Sequence, residues 1–262
     1  MTDAKQVNQD FLDSSQYQAT SILRYESVYG EDFVSPGGLA MAREMIGHMA
    51  LAPGSRVLDV GCGLGGSAFV MARDFGLLVD GIDLSKNMLA LAKQKLATNG
   101  LSDSVRLEWG DCLELERKDY YAAVYSRDVF LHIHDKPQLF SVLNASLCQG
   151  GTLLFTDYCC GPRPWSDDFG DYVEGRGYSL HTIEEYCGLI AGAGFEQVSG
   201  VDITPRFIEI LHADVERIDG LGLDQPSGSK LRQSWQQKLA RAEAGHQRWG
   251  LFTARKGALQ AD

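Results

Sequence analysis

A doubly wound α/β sheet of seven strands, mostly parallel, is the fold class the sequence predicts, and three observations lead to it. Strand-like and helix-like segments alternate from residue 56 onward, the pattern of a parallel sheet covered on both faces. The first strand runs into a glycine-rich turn, Val57-Leu58-Asp59-Val60-Gly61-Cys62-Gly63-Leu64-Gly65-Gly66. Glycine is needed where a backbone turns sharply and approaches a ligand without a Cβ in the way. The second strand ends in Gly81-Ile82-Asp83-Leu84-Ser85, with an acid placed to accept hydrogen bonds from a ribose diol.

The 262 residues, 44% of them hydrophobic, suffice for one sizeable domain. Residues 1–50 read as a helical lid. Phe11 to Tyr29 carries apolar and aromatic residues at helical spacing, Ser35-Pro36-Gly37-Gly38 breaks the chain, and Leu39 to Met49 is rich in Ala and Met. Residues 51–157 form the cofactor-binding half. Strands are predicted over 56–60, 77–82, 104–109, 121–126 and 152–157, and helices over 65–75, 85–98 and 137–147. Residues 158–256 form the substrate-binding half with the last strands. Within it, 158–178 reads as irregular, being rich in Gly, Pro, Tyr and Trp. Thr182 caps a helix through Ala191, with Glu184 and Glu185 near its positive end, and Gly192-Ala193-Gly194 ends it. Phe195 to Val201 is the sixth strand. Residues 205–219 and 230–245 form a helical insertion, joined by a loop over 220–229, before a last strand at Trp249 to Ala254. Residues 257–262 are expected to be a frayed tail.

The formal net charge of −11 opposes a nucleic-acid partner, whose phosphates would meet a repulsive field and no basic stripe. It leaves room for a local cationic pocket. No apolar run is long enough to span a bilayer and no signal peptide is expected. The six cysteines lack zinc-type spacing, and adjacent Cys159-Cys160 suits neither a zinc knuckle nor an ordinary disulfide. Reduced thiols in a cytoplasmic monomer are the expectation.

Gly61-x-Gly63-x-x-Gly66 fits the dinucleotide fingerprint, a weak signal by itself. Asp59 argues for a different ligand. Two residues before the first glycine, it would repel a pyrophosphate and attract the amino group of a bound amino acid. Gly110-Asp111-Cys112 follows the third strand, where an acid can accept from an adenine amine. Three acids at three successive strand ends suit a ligand with an ammonium, a diol and an adenine. S-adenosylmethionine has all three, and S-adenosylhomocysteine would be its product. The pattern resembles the class I methyltransferases, whose last strand is antiparallel. Asp59, Gly61, Gly63, Asp83, Leu84, Asp111 and Cys112 form the expected cofactor site, with no metal.

A more selective resemblance lies in FLDSSQY, YESVYGEDFVSPGG, LDVGCGLGG, GIDLS, YSRDVFLHI, TDYC, YVEGRGYSL and QRWGLF. Together, from about Phe11 to Lys256, they resemble the phosphoethanolamine N-methyltransferases, and most of all the short protozoan members that carry out all three methylations. The resemblance implies that Tyr158, Tyr172, Arg176, Tyr178 and Lys238 hold a phosphate and that Asp128 holds the amine. It pairs His132 with an N-terminal tyrosine, here Tyr17. It puts Gln16 and Ser35 in the lid near the cofactor and Arg127 on the cofactor side.

The chemistry of these residue types agrees. A guanidinium binds two phosphate oxygens at once and phenols donate further hydrogen bonds. The faces of Tyr25 or Tyr172 favour a methylated cation. A primary alkylammonium has a pKa of about 10, so its amine needs a base, and His132 is the candidate. Read as residues alone, other roles stay open. His132 fits a core histidine, or a metal pair with His134 that lacks a third ligand. Tyr17 and Tyr25 fit helix-core aromatics, Arg176 and Lys238 fit surface charges, and Asp128 fits a cap or a partner for Arg127. Two other functions compete: methylation of another small amine such as a glycine-betaine precursor, and cofactor binding without catalysis.

Overall fold

In the computed structural model, residues 9–223 and 227–257 are described; the side chains of Ser15, Gln16 and Ala19 lie outside that description. The strands are β1 (Arg56–Val60), β2 (Leu78–Asp83), β3 (Val105–Trp109), β4 (Tyr121–Arg127), β5 (Leu147–Cys160), β6 (Phe195–Asp202) and β7 (Gln247–Lys256). They form one seven-stranded sheet in the order β3-β2-β1-β4-β5-β7-β6. The pairs among β1 to β5 are parallel. β7 inserts antiparallel between β5 and β6. The chain leaves β1 toward β2 and β3, then returns to β4 on the other side. That reversal opens a crevice at the carboxyl ends of β1 and β4.

Successive residues on a strand point to opposite faces, and here both faces are buried. Val57, Ala123, Tyr125 and Leu154 pack with α3 (Gly38–His48), α4 (Gly66–Phe75) and α5 (Lys86–Asn99). Leu58, Val124, Leu153 and Phe155 pack with α6 (Lys136–Ser146) and α8 (Ile183–Gly192). Truncating a side chain such as Phe155, which stacks on Phe252 at 4.7 Å, should cost about 3–5 kcal/mol. The cap at Thr182 is a complete box: Thr182 Oγ1 accepts from the Glu185 amide at 3.2 Å, and Glu185 accepts from the Thr182 amide at 2.8 Å.

The structure corrects the sequence reading in four places. The stretch 158–178 is not irregular throughout: β5 runs on to Cys160, and α7 (Asp167–Arg176) is a capped helix. Ser166 accepts from the Phe169 amide, and Gly177 at φ 66° ends the helix. β5 also starts earlier than expected. Tyr121 pairs with Leu147 and Ala123 with Thr152, so β5 bulges against β4 over residues 148–151. α10 (Ser227–Glu243) begins before residue 230 and packs beside α9 (Thr204–Gly220). Last, the N-terminal helix is broken. A short α1 (Gln9–Phe11) runs into a π-helical turn over Leu12–Gln16, the chain bends at Tyr17, and α2 (Ala19–Tyr29) follows. Of the predicted tail, only Gly257 is described; residues 258–262 lie outside, as do 224–226. Among the described residues no helix is long and apolar enough to cross a membrane.

Candidate active site

A cavity of about 460 Å³ occupies the crevice. The glycine turn forms its floor, the ends of β2, β3 and β4 its walls, and the N-terminal segment its roof. Gly61 has φ 69°, and a Cβ there would lie 2.3 Å from Val129 Cγ2. Its need for glycine is thus packing as well as backbone conformation. The Gly61 and Cys62 amides both donate to Ile82 O, at 2.8 and 3.1 Å, which locks the turn onto β2.

The acids at the strand ends differ in what they hold. Asp83 accepts from the Gly63 amide at 2.8 Å and the Ser85 amide at 2.8 Å. Burial still pushes its carboxyl up to about 6. Asp59 is 2% exposed and its Oδ2 has no hydrogen-bond partner among the described residues. Burial first, then the charge of Asp83, pushes it up to about 7 against the pull of Arg127. A buried acid with a bare oxygen facing a cavity fits a cation. Asp111 caps its own turn, accepting from the Leu113 amide at 2.9 Å. Its neighbours in the wall are Cys112, Leu113 and Leu84.

At the end of β4 the chain turns sharply. Asp128 adopts φ 57°, in the left-handed region that is uncommon outside glycine. Its amide donates to Thr156 O at 2.8 Å. Asp128 Oδ1 accepts from Trp249 Nε1 at 2.7 Å, and Oδ2 is buried without a partner. Burial raises this carboxyl; Arg127, Trp249 and Thr156 oppose the rise. The short turn Phe130–His132 then presents His132, whose Nε2 lies 3.2 Å from Tyr17 Oη. Burial, aided by Lys136, Arg176 and His134, lowers the imidazole to about 3, so it is neutral at every ordinary pH. Burial raises the Tyr17 phenol, which is therefore neutral too. Lys136, 1% exposed, donates to the carbonyls of Ile133 and Ser179 and so ties this turn to the Tyr178 segment.

A second chamber of about 110 Å³ adjoins the first, and Tyr25, Tyr158, Arg176, Tyr178 and Lys238 line both. Tyr172 and Arg241 line the smaller one. Lys238 Nζ donates to Tyr29 Oη at 3.2 Å and to Tyr158 Oη at 3.5 Å. Arg176 hydrogen-bonds Tyr25. Arg241 lies over Tyr172 at 3.7 Å. Burial, then the like charges of Arg176 and Arg241, lowers the Lys238 ammonium to about 8. Cations crowded among phenols make an anion site.

Residues 57–151 match the family model described as a methyltransferase domain. Phosphoethanolamine N-methyltransferase 3 of Arabidopsis thaliana is 42% identical over 255 residues, covering 95% of this chain and 52% of its own length. The phosphoethanolamine N-methyltransferase of Plasmodium falciparum is 31% identical over 269 residues, covering 98% of this chain and 100% of its own. The chain belongs to the phosphoethanolamine N-methyltransferase family. It spans about half the length of the plant family members it matches, 52% for the one above. Phosphoethanolamine N-methyltransferase 2 of Haemonchus contortus, solved in complex with phosphomonomethylethanolamine and S-adenosylhomocysteine, superposes with a TM-score of 0.92. That likeness has 35% sequence identity and covers 95% of this chain and 60% of that one.

Most residues named from the sequence meet around these two chambers. Tyr17, Ser35, Asp59, Gly61, Gly63, Asp83, Leu84, Asp111, Cys112, Asp128 and His132 line the larger one. Arg127 lines it too, but its guanidinium donates to Gly38 O at 3.0 Å and to Pro36 O. It staples the turn before α3. The side chain of Gln16 lies outside the described part. His134 reaches Gly177 O at 3.2 Å, and among the described residues no three His, Cys, Asp or Glu side chains group to hold a metal. Four residues escaped the sequence reading: Tyr29, Arg241, Trp249 and Asp13. Tyr29 and Trp249 sat inside quoted family motifs, which was a usable signal. Asp13 sat inside one too, FLDSSQY, and Arg241 in none.

Proposed function

We propose that this protein transfers methyl groups from S-adenosylmethionine to the nitrogen of phosphoethanolamine and its mono- and dimethyl forms, toward phosphocholine. The observation that carries the reading is the junction of the two chambers. An acidic cavity suited to the cofactor meets a cationic, phenol-lined chamber suited to a phosphate. Asp128 and the Tyr17–His132 pair line the larger cavity, which shares Tyr25, Tyr158, Arg176, Tyr178 and Lys238 with the smaller one. Family membership supports the same chemistry.

Asp59 would hold the cofactor's ammonium, Asp83 its ribose hydroxyls, and the Asp111–Cys112 wall its adenine. When bound, S-adenosylmethionine supplies an electrophilic methyl on a sulfonium. Arg176, Lys238, Tyr158 and Tyr178 grip the phosphate, and Asp128 Oδ2 takes the ammonium. For methylation, the nitrogen must first lose a proton. Tyr17 donates to His132 Nε2 when Nδ1 carries the imidazole proton. The phenol oxygen then accepts from the ammonium as its own proton passes to Nε2, a relay through two groups that are both neutral at rest. A phosphate dianion on Arg176 relieves part of the charge that depresses His132, so binding strengthens the base where it is needed. All six cysteines are free thiols, which supports a reducing, cytoplasmic setting.

The test is product analysis by mass after incubation with S-adenosylmethionine and, separately, phosphoethanolamine, its monomethyl form and its dimethyl form. Each should gain methyls. Turnover of free ethanolamine or glycine, with none of a phosphorylated amine, would assign the site to another small amine. Tight cofactor binding without transfer to any amine would remove catalysis from the reading.

A further inference from the structure

We propose that Asp13 is a positioning residue for Tyr17, latching the N-terminal segment to the start of α5 so that one network sets both the cofactor end of β2 and the Tyr17–His132 pair. The proposal rests on the transferase reading above for its kinetic consequence, but not for the latch itself.

Asp13 sits in the π-helical turn, four residues before Tyr17. Its Oδ1 accepts from Ser85 Oγ at 2.5 Å and from the Asn87 amide at 3.4 Å, and Oδ2 accepts from the Lys86 amide at 3.2 Å. The first amides of a helix have no partner within the helix, and its positive end attracts a carboxylate. Asp13 meets both needs of α5 from outside. Asn87 returns the contact: its Nδ2 donates to Asp13 O at 3.3 Å and to Tyr17 O at 3.0 Å. The backbone of Tyr17 is thus held from the same helix turn. Ser85, 0% exposed, is the hinge of the network. It gives its amide to Asp83 and its hydroxyl to Asp13, and it accepts from the Met88 amide at 3.1 Å. Gly63, Asp83, Ser85, Asp13, Tyr17 and His132 are therefore one connected series. Among the described side chains of this segment, Leu12 is buried, Asp10 and Ser14 face solvent, and Gln9 Nε2 donates to Asp13 Oδ2 at 3.2 Å.

Without Asp13 the segment should spend most of its time away from His132. The chemistry at His132 is unchanged; only the fraction of molecules with Tyr17 in place falls. Asp13→Ala and Asn87→Ala should each lower kcat by about tenfold, while KM for phosphoethanolamine stays within about twofold. Asp13→Ala added to Tyr17→Phe should lower kcat little further, because the hydroxyl it positions is already gone. Hydrogen exchange gives a readout that needs no turnover. Amides over 9–17, and those of Lys86 and Asn87 that Asp13 accepts from, should exchange faster in Asp13→Ala than in the wild type, with the rest of the chain unchanged. S-adenosylmethionine should slow them in the wild type and not in the variant. Unchanged exchange over 9–17 in both variants would overturn the latch, as would wild-type kcat in both, or a double variant whose loss equals the product of the singles. A wild-type protein that methylates no phosphorylated amine would sink the transferase reading, and the exchange measurement would still decide the latch.

Discussion

Cofactor affinity should fall steeply below neutral pH, and Asp59 should set the slope. Its carboxyl sits at the end of β1, 2% exposed, and is raised from the ordinary 3.8 to about 7, first by burial and then by Asp83. A cationic ammonium binds only the ionised form, so proton and cofactor compete for one oxygen pair. With a pKa of about 7, roughly 1% of Asp59 is ionised at pH 5 and roughly 90% at pH 8. The dissociation constant should therefore rise by about 90-fold from pH 8 to pH 5, about 2.7 kcal/mol. Asp83 adds less, because a ribose hydroxyl can donate to either form of a carboxyl. The same shift fixes the sign for stability. An acid raised in the folded state contributes most below about pH 4, and its contribution is lost as pH rises through about 7. Bound cofactor should recover that loss, so its effect on Tm should be larger at pH 8 than at pH 5.5. Calorimetry at pH 5, 6, 7 and 8, in two buffers of different ionisation enthalpy, measures both affinity and the proton released. Close to one proton should leave per cofactor at pH 5, and Asp59→Asn should flatten the profile. A wild-type affinity constant within threefold across this range, with no proton released, would refute the reasoning.

Three further outcomes follow from the site. His132→Ala should lower kcat by roughly 10²–10⁴-fold with cofactor affinity nearly unchanged, and near-normal single-turnover transfer would make the residue structural. With its pKa near 3, the His132 imidazole of the free protein should keep the neutral NMR shift down to pH 5; titration near 6.5 would contradict its burial. Inorganic phosphate and phosphocholine should raise Tm while choline does not, an effect worth about 2.7 kcal/mol at a hundredfold excess over Kd. Arg176→Ala should remove it. In the wild type it should weaken above about pH 8, where Lys238 loses its proton. Equal protection by choline would disprove the phosphate chamber.

The cofactor half was legible in the sequence because its determinants are local. A glycine turn, an acid at a strand end and the next helix lie within a few residues, and parallel neighbours repeat the arrangement. Strand alternation held further information. Tyr125 packs on the α3 side, and Arg127, two residues on, shares that face. Period alone gave the face it shares with Tyr125, but not its bonds to Gly38 O and Pro36 O, which lie 89 and 91 residues away in the chain. α7 was not legible, since glycines at 170 and 175 lower its intrinsic propensity. Phe169 and Val173, packed into the core, supply what the local sequence lacks. The cationic chamber was legible only through family motifs. Lys238 meets Tyr29 across 209 residues of chain, and no local rule brings α2 and α10 together.

The two chambers carry opposite electrostatic burdens, and that opposition explains how a chain of net charge −11 concentrates cations at one point. On the cofactor side, Asp59 and Asp83 are buried acids held near neutral protonation. In the smaller chamber, Arg176, Lys238 and Arg241 repel one another among phenols. Each half is unfavourable alone and is relieved by a ligand of the opposite sign. Asp128 stands where the halves meet, with one oxygen fixed by Trp249 and the other bare. A zwitterion with an anionic end in the cationic chamber would put its ammonium within reach of that bare oxygen. The reverse orientation would set phosphate against Asp128 and ammonium against Arg176. Under the proposed function, charge alone would thus orient phosphoethanolamine with its nitrogen toward the larger cavity, before any tyrosine contact refines the fit.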